Sequence, residues 1–352
     1  MDNQAYKNIC DGETMEILKE RLKAAGYTLD KFGIYRSGAE GYWSNLNRDE
    51  NKNLLERLNT TTAREALRET YPAHENVIFS PKRDVALELL DIKPEEICAD
   101  YGCMWGALSI GMAKRGARVL AFDQTYDSLV FLNHRKNDEK VDNLILIQDD
   151  IRNIHLEGLF DCSLVNGVLE WIPEAGEIEL NKFHGKRYKR GKTAVSPSEM
   201  QLLFLKRVCG NLRPGGRLLL AIENRYDFTH FIGKKDPHAG LFFTAFLPRP
   251  VSNFISKLFL NRPYVNYIYS FKSIEGLLHE AGFRGVDLYM AFPNYHFPEL
   301  ILPYNGGSVF YEPYNTTGFS FKKKVATFLE KVIIKYFKAK MFAPSIIAVA
   351  TK

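Results

Sequence analysis

The chain has 352 residues, 45% of them hydrophobic and 25% charged, with a net charge of +5 and an isoelectric point near 8.7. These proportions exclude a disordered or fibrous chain and leave enough apolar residues for a sizeable core. No stretch approaches the roughly 18 consecutive apolar residues of a membrane span, and the five cysteines, Cys10, Cys98, Cys103, Cys162 and Cys209, stand singly, without the spacing of a disulfide framework or a metal site.

The first residues carry Asp2, Asp11, Glu13 and Glu16 and no apolar run of signal length, so no secretory signal is expected, and the single cysteines point to a reducing, cytoplasmic setting. Residues 12–26 and 50–70 read as charged amphipathic helices, separated by a Tyr-, Gly- and Ser-containing stretch over 33–47. Residues 1–77 are therefore expected to form an N-terminal helical cap ahead of a main domain over 78–352. Closing over a ligand and serving as a packing or dimerisation element fit the cap equally.

Residues 96–123, EICADYGCMWGALSIGMAKRGARVLAFD, predict a buried strand, a glycine turn, a helix and a second strand ending in an acid. Ile97–Tyr101 is short, apolar and contains Asp100, while Gly102 and Gly106 stand where the chain turns sharply and a ligand approaches the backbone. A helix over 108–115 then leads to a strand over 119–122. Asp123 at its carboxyl end is placed to accept hydrogen bonds from both hydroxyls of a ribose. The turn lacks the G-x-G-x-x-G of a dinucleotide fingerprint, so a nucleoside rather than a pyrophosphate is the expected ligand.

Further strands are expected over 143–148, ending at Asp149 and Asp150, and over 160–165, running into Asn166 and Gly167-Val168-Leu169-Glu170-Trp171. Ligands of open parallel sheets bind outside the carboxyl ends of the strands, where these acids and glycines gather. Taken singly, each acid is more simply a solvated loop residue. The dense basic run Lys182 to Lys192 reads first as a solvated loop and second as a funnel for an anionic acceptor; with few aromatics interleaved, nucleic acid ranks low. Asn211-Leu212-Arg213-Pro214-Gly215-Gly216 ends a helix and feeds a strand over 218–222. Residues 270–283 carry a serine N-cap, apolar residues at helical spacing and a Gly282 stop, before strands over 285–291 and 343–350.

The Asp-x-Gly-x-x-x-Gly turn with an acid at the next strand end resembles motif I of class I S-adenosylmethionine-dependent methyltransferases, with Met104 where the family has its middle glycine. The likeness spans about residues 78–352, with insertions at about 225–269 and 300–342. It implies an α/β Rossmann-like fold with a mostly parallel seven-stranded sheet and helices on both faces. It also implies S-adenosylmethionine as cofactor, held by Asp100, Gly102, Cys103, Gly106, Asp123, Gln124, Asp150, Ile151, Asn166 and Gly167, with Asp150 at the adenine amino group.

Glu223-Asn224-Arg225-Tyr226, Phe231-Ile232-Gly233 and Asp236-Pro237-His238-Ala239-Gly240, with Ser80-Pro81-Lys82-Arg83 and Gly167 to Glu170, resemble methyltransferase domains of bacterial glycan and cell-surface polysaccharide synthesis. That likeness implies O-methylation of a sugar or glycan-type acceptor. Since a hydroxyl must lose its proton, His238 and Glu170 are the catalytic candidates, against the plainer readings of Glu170 as a helix cap or partner of a base and of His238 as a surface residue. A small secondary metabolite or a lipid is the alternative acceptor. A non-catalytic module, with Met104 disabling the cradle, is the rival of another class.

Residues 241–263 mix phenylalanines with Arg249, Lys257 and Arg262, and residues 319–342 set Val325, Phe328, Leu329, Val332, Tyr336 and Phe337 at helical spacing against seven lysines. Such helices more often pack their apolar stripe on their own domain. Alternatively they lie on an anionic membrane surface, which would place the protein at the inner face of the membrane with a lipid-linked acceptor. Oligomeric state is not readable.

Overall fold

A computed structural model describes residues 15–38, 47–174, 195–306 and 321–352. The basic run 182–192 and Cys10 lie outside the described residues. The chain divides into two compact units, one of residues 1–164 with 210–216 and the other of residues 165–209 with 217–352.

In the first unit, helix α1 (Met15–Ala24) buries Leu18 and Leu22 and leads into strands β1 (Thr28–Leu29) and β2 (Ile34–Arg36), which form an antiparallel hairpin. The hairpin departs from the sequence expectation, which has only helices and a connection here. Its signal is weak because β1 spans two exposed residues. Helices α2 (Arg48–Arg57), α3 (Ala63–Thr70) and α4 (Pro72–Phe79) follow. Each start has a local cause. The Asn47 side chain accepts the N–H groups of Asp49 and Glu50, Thr62 and Glu65 form a reciprocal capping box, and Pro72 supplies a preset φ.

Strands β3 (Ile97–Tyr101), β4 (Arg118–Asp123) and β5 (Leu144–Gln148) are the parallel core of this unit. β3 and β5 are buried at every residue, as expected of strands covered on both faces. Helices α5 (Ala107–Lys114) and α6 (Tyr126–Asp138) connect them. β2 extends the parallel ladder by pairing Ile34–Arg36 with Leu146–Gln148. Tyr101 stacks on Phe122 with centroids 5.5 Å apart. On the other side, Leu54, Leu58, Leu67, Tyr71 and Ile78 of α2–α4 form one buried cluster with Trp105, Ala107 and Phe131. Strand β6 (Phe160–Asn166) begins in this unit, where the Asp161 carboxylate accepts the N–H of Ile97 at 2.8 Å.

Helix α7 (Pro197–Asn211) precedes the long β7 (Leu212–Glu223), and both lie in the second unit except for residues 210–216. β10 (Ser345–Thr351) runs antiparallel between β7 and β8 (Gly285–Phe292), with Ile346 opposite both Ile222 and Met290. This is the expected closing strand. β9 (Leu300–Pro303) adds a further antiparallel edge on β8 that the sequence does not signal. Helix α8 (Phe228–Phe231) is a single turn. Helix α10 (Phe271–Ala281) has the expected caps, with the Ser270 side chain accepting the Ser273 N–H and Gly282 in the left-handed region at φ 108°.

Helices α9 (Arg249–Leu260) and α11 (Phe321–Lys331) do not follow the amphipathic rule. α9 buries Ser252 and Ser256 and exposes Phe254, Leu258 and Phe259; α11 buries Thr327 and Glu330 and exposes Phe321, Val325 and Phe328.

Candidate active site

The carboxyl ends of β3, β4 and β5 are adjacent in register, so Gly102, Asp123 and Asp149 follow one another along one edge of the first unit. Gly102 and Gly106 both take positive φ, 77° and 72°. A Cβ at Gly106 would run into the Leu132 side chain, so glycine is required there by space as well as by conformation. Met104 also sits in the left-handed region, φ 47°. The position thus keeps the backbone conformation a glycine would adopt, at a cost of roughly 1–2 kcal/mol for a residue with a Cβ. Its side chain packs against the α2–α4 cluster.

That turn aims N–H groups inward. The Asp123 carboxylate accepts the N–H of Met104 through one oxygen and that of Thr125 through the other, both at 2.8 Å. The Thr125 side chain and the Gln124 N–H also favour its charged form. Burial raises the pKa of Asp123, against these hydrogen bonds. Asp100 lies deeper. It accepts the Ser109 hydroxyl at 2.5 Å, and burial pushes it up to about 6, which suits a group that positions the turn. Burial also pushes the Cys103 thiol up, so it is a small buried turn residue rather than a reactive one.

Asp150 caps the short 3-10 turn Ile151–Asn153 and is gripped by the Arg152 guanidinium at 2.6–3.1 Å. Its neighbour Asp149 accepts the hydroxyls of Tyr27 and Ser37, each at 2.6 Å. These N-terminal partners are not legible in the sequence, because they lie more than 110 positions away. Gln124 and Ile151 are half-buried beside these groups in the chain.

In the second unit Asn166 closes β6 and Gly167 follows at φ 68°, where a Cβ would stand 2.5 Å from the Tyr295 hydroxyl. The 3-10 turn Leu169–Glu174 carries Glu170 inward. The structure brings Glu170 together with His238: His238 Nε2 stands 3.7 Å from Glu170 Oε1 and 3.8 Å from Glu223 Oε2. The His238 ring is 3% exposed and Glu170 1%. Glu223, which ends β7, is the member that the sequence reading does not single out for chemistry, although it opens the Glu-Asn-Arg-Tyr run.

The rest of that run is structural. Asn224 bridges the carbonyls of Met341 and Ala343 at 2.7 Å each, and Arg225 binds those of Phe246 and Leu247. Asp236 shapes the His238 loop. It accepts the N–H groups of His238 and Ala239, at 2.9 and 3.1 Å, and the Tyr264 hydroxyl at 2.7 Å, and its carboxylate lies 3.5 Å from His238 Nδ1, an ion-pair contact rather than a hydrogen bond. The Trp171 ring meets the His238 ring edge-on at 5.0 Å.

Three carboxylates around one buried imidazole decide the protonation states. Burial alone would depress His238, but Asp236, Glu170 and Glu223 raise it to about 10, so the ring is a cation at neutral pH. Burial and then the charge of Glu170 raise Glu223 to about 7, with His238 opposing. Burial opposes the hydrogen bonds of Asp236, which hold it down at about 2. Donor atoms of Glu170, Glu223 and His238 all lie within 4.8 Å of one another, near enough for one cation. The imidazolium already supplies the positive charge there. Among the described residues Glu170 Oε2 and Glu223 Oε2 have no hydrogen-bond partner.

Residues 99–181 match the family model described as a methyltransferase domain. With the β–α–β order of the first unit and the antiparallel β10, the fold is that of a Rossmann-like class I methyltransferase. No curated protein matches the chain. Among solved structures it is similar to phosphoethanolamine N-methyltransferase 2 of Haemonchus contortus, in complex with S-adenosyl-L-methionine, with 13% identity over 83% of this chain and 60% of that one and a TM-score of 0.45. The same protein with phosphomonomethylethanolamine and S-adenosylhomocysteine gives 13% identity, 84%, 61% and 0.46. The chain thus spans about three fifths of that protein's length. A SAM-dependent methyltransferase of Archaeoglobus fulgidus is 12% identical over 80% of this chain and 99% of that one, with a TM-score of 0.43. Likenesses this distant carry nothing about substrate.

Proposed function

We propose that the chain is an S-adenosylmethionine-dependent methyltransferase acting on a hydroxyl oxygen of a sugar or glycan-type acceptor. The observation that carries this reading is the largely buried Glu170–Glu223–His238 set, in which the Glu223 side chain is still 19% exposed and its carboxylate is held at about 7. The methyltransferase-domain match and the left-handed Gly102–Gly106 turn support the donor. Asp123, at the carboxyl end of β4, is assigned to the ribose hydroxyls, and Asp100 keeps the turn in place through Ser109. Gly102, Cys103, Gly106, Gln124, Asp150, Ile151, Asn166 and Gly167 are assigned to the remaining donor contacts. When bound, the donor supplies a methyl group already activated on a sulfonium.

What remains for the protein is positioning, exclusion of water and disposal of a proton. A hydroxyl oxygen attacks well only as its proton departs. In this reading the ionised Glu223 accepts that proton, since a base titrating near the working pH is the most effective. Glu170 raises Glu223 by its charge, and the His238 imidazolium steadies the two carboxylates. His238 is thereby a positioning cation in the resting protein. Residues 1–77 are read as a cap on the donor turn, supported by the packing of α2–α4 on Trp105 and Ala107.

The test incubates the full-length protein with methyl-labelled S-adenosylmethionine and cell-envelope extracts, with calorimetry of donor binding alongside. Label in the glycan fraction that falls at least tenfold in Glu223→Gln, with donor binding intact, is the expected result. Label confined to lipid or small metabolites would overturn the acceptor class. Absence of donor binding would make the chain a non-catalytic module.

A further inference from the structure

Helix α9 is turned inside out. Ser252 donates to the Thr244 carbonyl at 2.8 Å and Ser256 to the Arg262 carbonyl at 2.9 Å, so its two serines anchor the helix while Phe254, Leu258 and Phe259 are 66%, 65% and 69% exposed. Helix α11 repeats the pattern, burying Thr327 and Glu330 and leaving Phe321 81% exposed and Phe328 64%. An amphipathic helix in a water-soluble domain normally does the reverse. Exposed single apolar residues need no explanation, but a run of this size does.

Both helices lie in the second unit. A chain of rings joins their flanks: Phe342 meets Phe231 edge-on at 5.6 Å, Phe231 stacks on Phe246 at 4.3 Å, and Phe246 meets Phe243 at 5.9 Å. Phe231 and Phe243 are themselves exposed. Phe243 also holds φ 69°, a conformation a bulky residue rarely adopts and one that tends to be kept where function needs it.

Charge identifies the occupant. In residues 225–262 the only acids, Asp227 and Asp236, are buried, whereas Lys235 and Lys257 are exposed, as are Lys234 and Arg262, which pair with Asp227 and Glu174. In residues 321–342 the only acid, Glu330, is buried, whereas Lys324, Lys335 and Lys338 are exposed. Every exposed charge described on these segments is therefore positive, and lysines stand next to the outward phenylalanines. A protein partner's apolar patch would not need this rim. An anionic bilayer fits both features, taking aromatic and leucine side chains into the headgroup boundary and attracting the lysines.

We infer that these outward apolar, lysine-bearing surfaces of the second unit dock the protein peripherally on an anionic membrane. The inference stands apart from the methyl-transfer reading, since it uses none of the site residues. Full-length protein is sedimented with phosphatidylcholine vesicles, with and without about 30% phosphatidylglycerol, at about 0.1 M and about 0.5 M salt. Binding is expected only with phosphatidylglycerol and to fall at high salt. Phe254→Ser with Phe259→Ser should lower the partition coefficient by about tenfold or more, with an unchanged unfolding midpoint because both rings are solvent-exposed. Lys257→Gln and Lys324→Gln should each lower it by about fivefold. Failure to bind, equal binding to neutral vesicles, variants that bind like the parent, or sedimentation velocity showing a dimer that the phenylalanine variants abolish would each overturn the inference.

Discussion

Replacing Glu170 by glutamine keeps the volume of the side chain and removes one charge from the buried set. Donor atoms of Glu170 and Glu223 lie within 4.8 Å. At an effective dielectric of about 20, two charges at that distance repel by about 3.5 kcal/mol, equivalent to about 2.5 pH units. Glu223 rises in all from 4.5 to about 7, with burial as the larger cause, so the repulsion contributes less than half. The neighbouring imidazolium absorbs the difference. The carboxyl of Glu223 in Glu170→Gln is accordingly expected to titrate about one pH unit lower than in the parent. Carboxyl-carbon NMR of glutamate-labelled protein, with the signal assigned through Glu223→Gln, reads this without knowledge of the acceptor. A parent Glu223 that titrates in the ordinary glutamate range, or a midpoint unmoved by Glu170→Gln, would refute the assignment of Glu223 as the base.

His238 links the same cluster to stability. Its pKa is raised in the folded state from 6.5 to about 10, so its contribution is complete below about pH 6.5 and is lost as pH rises through 10, up to about 5 kcal/mol in total. Urea unfolding of His238→Gln should show a deficit of about 3–5 kcal/mol at pH 6 that shrinks toward pH 10; a deficit independent of pH would contradict the imidazolium. Gly106→Ala combines a left-handed residue with a collision at Leu132 and is expected to cost about 2–5 kcal/mol in thermal or urea unfolding. Met104→Gly removes the strain at φ 47° but also removes the side chain packed on the α2–α4 cluster and adds freedom to the unfolded chain, so unfolding stability should fall by about 1–3 kcal/mol, with calorimetry showing donor binding no weaker than in the parent. Methyl transfer should be insensitive to EDTA, since the imidazolium occupies the charge role of a cation; restoration of activity by a divalent metal would assign the three ligating groups differently.

The alternation of short apolar strands with helices, the positive-φ glycines and the acids at strand ends are local properties, set by steric rules over a few residues. For that reason β3 to β5, the Gly102–Gly106 turn, Asp123 and the caps of α10 are readable from residue order alone. The hairpin β1–β2 is not, because it is completed by pairing with Leu146–Gln148, a partner more than a hundred positions away. Chemistry and likeness point to His238 and Glu170, but their meeting, the addition of Glu223 and the resulting charges depend on burial and on distances of 3.5–3.8 Å, which no spacing in the chain reveals.

Helices α9 and α11 make the same division from the other side. Their helical period and their lysines are written in the residue order, and a packed apolar stripe is the natural expectation from it. Which side of a helix faces inward is decided by the partners offered to it. For α9 these are the carbonyls of Thr244 and Arg262, which take up its serines. Local sterics thus determined the elements of this protein, whereas its electrostatics and its exposed face were decided by tertiary packing, because desolvation and contact exist only once distant segments have met.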